Sequence, residues 1–159
     1  MANRKRGQNM TNGFNGYDLG PDAPTIELSS GEILKYEPFA YSGIIDYGYG
    51  EGEVEVFLEL DKGSSLNADR AHEFFDEFYP ERGRWLAETY DYFVGLLQPD
   101  RDVSLRDEAK LDSIVFGADD ICQLSFTTGN VFHGHDVIVK IQRGIGFTGC
   151  FVESIRHIT

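Results

Sequence analysis

The feature of this chain that most constrains its fold is a change of hydrophobic period near its middle. Over residues 53–60 apolar and mostly acidic residues alternate, so that one face would carry Val54, Val56, Leu58 and Leu60, and the other Glu53, Glu55, Phe57 and Glu59. Strict alternation predicts a β-strand with one buried and one solvated face. From about residue 67 the apolar residues recur at helical spacing instead. The fold therefore has to combine strands with helices.

The middle of the chain is predicted to hold two helices. The first should run from about 67 to 79 and the second from about 81 to 98, with Pro80 ending one and starting the next. A further short helical turn is expected from Ser104. Two or three helices therefore separate the β-rich halves of the sequence.

Strand patterns occupy both ends of the folded part. Candidate strands precede the helices at 33–39, 41–47 and 53–60, and four more follow them at 113–116, 121–127, 136–142 and 147–155. The connections between the last four are too short for a crossover, so these strands should pair antiparallel. We predict an α+β domain: N-terminal β-hairpins, two or three central helices, and a C-terminal antiparallel β-meander packed against the helices.

A length of 159 residues fits one domain, which should span residues 25–159. Residues 1–24, rich in Asn and Gly, are expected to form a flexible leader. The chain has neither the apolar core of a secretory signal nor a run of ~20 apolar residues for a membrane span. Cys122 and Cys150 form no disulfide framework, so two reduced thiols are expected. These features predict a cytoplasmic protein.

The chain is strongly acidic, with a net charge of −13 and a pI near 4.6. Its only cluster of basic residues is Arg4, Lys5 and Arg6. Such a charge repels phosphate backbones and anionic lipid, which disfavours direct binding to nucleic acid or to a membrane surface. It favours a basic protein as partner, because opposite charges steer the encounter. The alternative is that the acidity serves solubility alone.

One region combines negative charge with tyrosines and is the candidate partner-binding surface. It consists of Asp46, Tyr47, Tyr49, Glu51, Glu53, Glu55 and Glu59. Glutamates on one strand face repel each other unless a counter-charge or a partner lies near, and tyrosines are favoured at protein interfaces. The alternative is a solvated sheet face with ordinary tyrosines at the edge of the core.

The motifs of enzymes and cofactor sites are absent or out of context. The run Gly144–Gly149 fits GxGxxG, but a dinucleotide site needs a helix to begin there, and the following residues have a strand pattern. These glycines are therefore expected in a hairpin turn or bulge. The chain contains no GxSxG, HExxH or GxxxxGK[ST] motif. We predict a protein that is not an enzyme and holds no cofactor.

Metal-ligating residue types occur together only at His133 and His135. In an extended segment both imidazoles would lie on one face and could meet one ion. Two histidines at this spacing supply few of the ligands that a metal needs, so the favoured interpretation is a pair of histidines at a turn and a strand edge.

The segment Ile121–Lys140, with the element Phe132-His133-Gly134-His135, resembles bacterial domains of unknown function of the DUF2262 and DUF6985 type. The resemblance extends over about residues 33–155, although only its C-terminal part is specific. It implies a cytosolic bacterial protein, and some members of these families are similar to immunity proteins of polymorphic toxin systems. It also implies that His135 is the recurring histidine, in a structural role.

The leading hypothesis is a non-enzymatic, acidic protein-binding domain, with an immunity protein that neutralises a basic toxin as its specific form. One alternative is a metal-binding protein or metal-dependent hydrolase that uses His133 and His135. Another is a structural domain without a discrete site.

Overall fold

One eight-stranded sheet, with its strands in chain order, forms the frame of the structure. The computed structural model describes residues 23–63, 66–97, 108–129 and 135–152. The strands are β1 (Thr25–Glu27), β2 (Ile33–Glu37), β3 (Ala40–Asp46), β4 (Glu53–Glu59), β5 (Lys110–Phe116), β6 (Ile121–Thr127), β7 (Val137–Gln142) and β8 (Gly146–Val152). The helices are α1 (Asp69–Phe78) and α2 (Arg82–Leu97), joined by a 3₁₀ turn at Tyr79–Glu81.

The connection between β4 and β5 differs from all others in the sheet. These two strands pair in parallel, with Val56 opposite Ile114 and Leu58 opposite Phe116. Every other neighbouring pair is antiparallel. A parallel pair cannot be joined by a tight turn, because the chain must return to the same end of the sheet. The helices lie in this return connection.

The inner face of the sheet is apolar along whole rows of neighbouring strands. Val56, Ile114, Leu124 and Val139 are in register across β4 to β7, and each is at most 1% exposed. Helix α1 covers this face with residues at helical spacing that are all buried: Ala71, Phe74, Phe75 and Phe78. The core is therefore a single layer between the helices and one face of the sheet.

Phe116 of β5 lies where α1 meets the sheet. Its ring makes edge-on contacts with Phe74, Phe75 and Phe78 at centroid distances of 5.4–5.5 Å. The side chain is 0% exposed. Edge-to-face aromatic pairs add stabilisation beyond the area that they bury, so this cluster anchors α1 on the sheet.

The predicted α+β arrangement is wrong in its organisation. The strands before and after the helices form one continuous sheet, not N-terminal hairpins and a separate meander, because β4 and β5 pair across the helical connection. The helical region is also one continuous segment: Tyr79 and Arg82 have helical backbone angles, so Pro80 lies within the 3₁₀ turn that joins α1 directly to α2. Proline is tolerated at the start of a helical turn, where the N–H it lacks would have no partner.

Individual strand predictions agree better with the structure. The alternating segment forms β4, and Val54, Val56 and Leu58 are buried while Glu53, Glu55 and Glu59 are exposed. Strands β5 to β8 pair antiparallel, as the short connections predict. The helical turn expected from Ser104 and residues 1–22 of the expected leader lie outside the described residues. None of the described helices has the length and apolar character to cross a membrane.

The fold makes a direct prediction for Phe116. Phe116→Ala should lower the free energy of unfolding by about 3–5 kcal/mol, because it leaves a cavity under three aromatic rings. Phe151→Ala, at a side chain that is 41% exposed, should cost well under half as much. Urea unfolding followed by circular dichroism measures both. Equal losses for the two variants would contradict the position of Phe116 at the centre of the core.

Candidate protein-binding surface

The hairpin of β3 and β4 carries all seven residues of the predicted surface. Its loop, residues 47–52, requires a left-handed backbone, with φ of 81° at Gly48, 87° at Gly50 and 76° at Gly52. Glycine adopts such angles without steric cost. Tyr49 also has a positive φ, 56°, which is uncommon for a residue with a side chain. The loop conformation must therefore be held by contacts elsewhere.

Tyr47 makes contacts of this kind, and its side chain is buried and not on the surface. Its side chain is 0% exposed. Its hydroxyl donates to the carbonyl oxygen of Arg82 at 2.7 Å, and Arg82 Nε donates to the carbonyl oxygen of Tyr47 at 2.8 Å. Burial raises the pKa of Tyr47 far above its ordinary value. The hydroxyl stays protonated and fixes the loop to the start of α2.

Tyr49 packs on the same end of α2 while remaining 61% exposed. The guanidinium of Arg82 lies 5.4 Å from the centre of its ring. A Cβ atom at Gly83 would lie 2.6 Å from two ring carbons of Tyr49. Glycine at position 83 weakens a helix, and the close approach of this ring is the physical reason for its presence.

Glu51 is directed into the protein. Its carboxylate accepts a hydrogen bond from the backbone N–H of Leu111 at 2.7 Å and one from the Tyr90 hydroxyl at 3.2 Å. It thereby connects the loop to the start of β5 and to α2. Like Tyr47, Glu51 holds the hairpin in place through hydrogen bonds and does not belong to its exposed face.

The exposed carboxylates lie on the outer face of β3 and β4. Asp46 is directly opposite Glu53 across the strand pair, and Glu55 follows two residues further along β4. Glu59 is also exposed, and its Oε1 accepts from the Ala118 N–H at 3.3 Å. Like charges opposite each other destabilise a sheet. The structure keeps this repulsion on a solvated face.

Apolar side chains that the sequence interpretation did not single out lie on the same face. Ile33 of β2 and Ile44 of β3 are each 50% exposed. Each precedes a buried apolar residue, Leu34 or Ile45. Two consecutive residues of a strand point to opposite faces. Two apolar residues in a row therefore predict that one of them is exposed, and this sequence signal could have identified Ile33 and Ile44.

The histidine pair is only partly within the described chain. His133 lies outside it, and His135 is included. The carbonyl oxygen of His135 accepts a hydrogen bond from the Thr128 hydroxyl at 2.8 Å. Over the described ranges, no group of three His, Cys, Asp or Glu side chains could hold a metal ion. The metal site at His133 and His135 therefore stays an alternative that rests on the sequence alone.

The glycine motif is a hairpin turn, as expected. Gly144 and Gly146 have φ of 80° and 116° between β7 and β8, and Gly149 lies within β8. A strand, and not a helix, follows the turn, so no helix N-terminus is present there to meet a pyrophosphate.

The two cysteines are free and lie on strands that are not neighbours. Cys122 is in β6 and Cys150 in β8, with β7 between them. Two strand spacings amount to roughly 10 Å, beyond the ~7 Å between Cα atoms that a disulfide can bridge. Burial raises the pKa of both thiols, to about 11 for Cys150. Neither is an activated nucleophile.

A second cluster of charges lies along α1, from Arg70 in its first turn to Glu77 in its last. Asp120 accepts from Arg70 at 2.6 Å and lies 3.5 Å from Arg143, which in turn pairs with Glu77. The hydrogen bond from Arg143 lowers the pKa of Glu77. Arg143 also borders a groove of about 180 Å³ beside Trp85. Since these groups pair with one another, the cluster connects α1 to two turns of the sheet.

Comparisons with protein-family models, curated proteins and solved structures find no match to this chain. The resemblance to the families of unknown function therefore remains a prediction from the sequence.

The contact between Tyr49 and Gly83 can be measured by a double-mutant cycle. In the Tyr49→Ala background, Gly83→Ala should stabilise the protein by about 1 kcal/mol, the ordinary difference between the two residues in a helix. With Tyr49 present the gain should shrink or reverse, because the new methyl group displaces the ring. Gly95→Ala is the matched control, since nothing lies within 4 Å of its added Cβ, and its effect should be the same in both backgrounds. Thermal unfolding measures all variants, and identical effects of Gly83→Ala in both backgrounds would contradict the contact.

The thiols give a prediction about pH. A pKa of about 11 for Cys150 leaves little thiolate at neutral pH, so iodoacetamide should modify the native protein slowly and the rate should rise with pH. Cys122 should react more slowly than Cys150, because it is fully buried. Mass spectrometry of native and urea-unfolded protein measures both rates. Rapid modification of native Cys150 at neutral pH would contradict the burial.

Proposed function

We propose that this protein is a non-enzymatic, acidic protein-binding domain that binds a basic partner through the outer face of its β3–β4 hairpin. The observation that carries the proposal is the placement of Asp46 opposite Glu53, with Glu55 and Glu59 exposed on the same strand face. Asp46 accepts a hydrogen bond from the Gly48 N–H at 3.2 Å and Glu59 accepts one from the Ala118 N–H at 3.3 Å, but the charges themselves repel each other. A cationic partner turns the same charges into attraction.

The net charge of the whole chain also favours a basic partner. A net charge of −13 attracts positively charged proteins over the distance of a Debye length and raises their association rate. Exposed pairs contribute little affinity individually. Several carboxylates on one face, beside the apolar side chains of Ile33 and Ile44, provide both attraction and area to bury.

The specific form of the proposal is an immunity protein that neutralises a basic toxin in the bacterial cytoplasm. It rests on the charge and on the resemblance of residues 121–140 to families that include proteins similar to immunity proteins. The metal-dependent alternative has no supporting observation in the described part of the chain, and it remains a prediction for His133 and His135.

The acidic face can be tested by changing charge without changing shape. The variant E53Q/E55Q/E59Q removes three negative charges from the outer face, and E73Q/D76N/D91N removes three from exposed positions on the helices. Immobilised protein is exposed to a lysate of the cells that carry its gene, and the bound proteins are quantified by mass spectrometry at low and high salt. Wild type and the helix variant should retain the same basic protein at low salt and lose it at high salt.

The sheet variant should lose that protein under all conditions. Equal retention by both triple variants would show that the outer face is not the interface. Retention that is insensitive to salt, or retention of no basic protein, would contradict the electrostatic function itself.

A further inference from the structure

We propose that the element of the partner that binds this face is a basic amphipathic α-helix, lying along β3. This inference rests on the proposed function and names the shape of the partner. It follows from the composition of the outer face, from the state of its backbone hydrogen bonds and from its dimensions.

On the outer face, the side chains of the central strand β3 are shorter than the acidic side chains of the strands beside it. The outward residues of β3 are Ala40, Ser42, Ile44 and Asp46, of which the first three are small or apolar and Ser42 is only 7% exposed. Ala40 lies between Glu37 of β2 and Glu59 of β4, which are both exposed. Ser42 lies between Lys35 of β2 and Phe57 of β4, so β3 forms the floor of a trough whose carboxylates lie towards its two ends.

The apolar part of the floor lies at one end of this trough. The pairing of β2 with β3 ends with Lys35 opposite Ser42, and Ile33 and Ile44 lie two residues beyond this pair, each on its own strand. Glu55 is the neighbour of Ile44 on β4, and Glu27 is the neighbour of Ile33 on β1. Two half-exposed isoleucines with a carboxylate on either side suit an apolar stripe bordered by Lys or Arg.

Backbone hydrogen bonding decides between a helix and an extended segment. Strand β3 is paired with β4 along its whole length and with β2 over Ala40–Ser42, and the N–H and C=O groups of strands lie in the plane of the sheet and not on its face. An extended peptide lying on this face would find no backbone N–H or C=O groups of the sheet to bond with. Its own backbone groups would then have no hydrogen-bond partner in the protein. A helix satisfies its backbone internally and needs only side-chain contacts.

The dimensions fit one helix. From β2 to β4 is two strand spacings, roughly 10 Å, which is about the diameter of a helix with its side chains. The seven residues of β3 extend over roughly 20 Å, the length of about 14 helical residues. A second copy of this chain is disfavoured as occupant, because its own acidic face would repel this one.

Lys35 adds a determinant of register. It is exposed within the trough beside Ser42, and it is the one cation among the outward residues of β2, β3 and β4. A helix that binds here should place an acidic or polar residue against it, with its basic residues towards Glu55, Glu59 and Glu37. This arrangement orients the helix along β3.

The test uses two synthetic probes of about 14 residues with the same Leu and Lys content. In one the leucines recur at helical spacing, and in the other they are scrambled so that no amphipathic helix forms. Fluorescence anisotropy with the full-length protein measures the affinity of each. The amphipathic probe should bind about tenfold more tightly, because only it can present leucines to Ile33 and Ile44 together with lysines to the glutamates.

Two substitutions locate the binding. Ile44→Ser should weaken the amphipathic probe about tenfold and leave the scrambled one unchanged. Ile145→Ser is the matched control, since Ile145 is 78% exposed on the turn between β7 and β8, and it should change neither affinity. Amide chemical shifts of the wild-type protein with the amphipathic probe give an independent map, which should centre on β2 to β4 whether or not the variants fold.

Equal affinity for the two probes, or shifts centred away from β3, would overturn the helix while leaving the electrostatic function in place. Failure of both probes to bind at low salt would contradict the helix and the proposed function together.

Discussion

The parallel pairing of β4 with β5 is the interaction on which the rest of the structure depends. It places Val56 and Leu58 beside Ile114 and Phe116 and makes one sheet from the two β-rich parts of the chain. Because a parallel pair needs a long return connection, it also explains why the helices lie between these strands. The aromatic contacts of the described helices with the sheet are made to Phe116, Phe126 and Phe147, which share the inner face.

The hairpin beside this junction combines internal support with an exposed surface. Tyr47 and Glu51 are directed inward, to Arg82, Leu111 and Tyr90. These bonds hold a loop whose backbone is strained at Tyr49, and they fix the ends of the two strands that carry the carboxylates. An interface formed on such a support loses little conformational entropy on binding, since its side chains project from strands already held in place.

The outer face of β3 and β4, which we propose as the interface, carries features that cost stability in the free protein. Facing carboxylates raise the energy of the free protein, and half-exposed isoleucines leave apolar area in water. A cationic, partly apolar partner surface that covered these side chains would remove both costs. In the proposed function these same features favour the binding of a partner of opposite charge.

The sequence by itself determined the local properties of this protein. Alternation established which side chains of β4 are buried, and glycine-rich runs located the turns at 48–52 and 144–146, because both signals depend on neighbouring residues alone. Only the tertiary structure decided which residues of the hairpin are exposed. Tyr47 and Glu51 have partners 35 and 60 residues away, and the pairing of β4 with β5 joins segments separated by two helices. Contacts at that distance depend on the packing of the whole sheet, which leaves no periodic signal in the sequence.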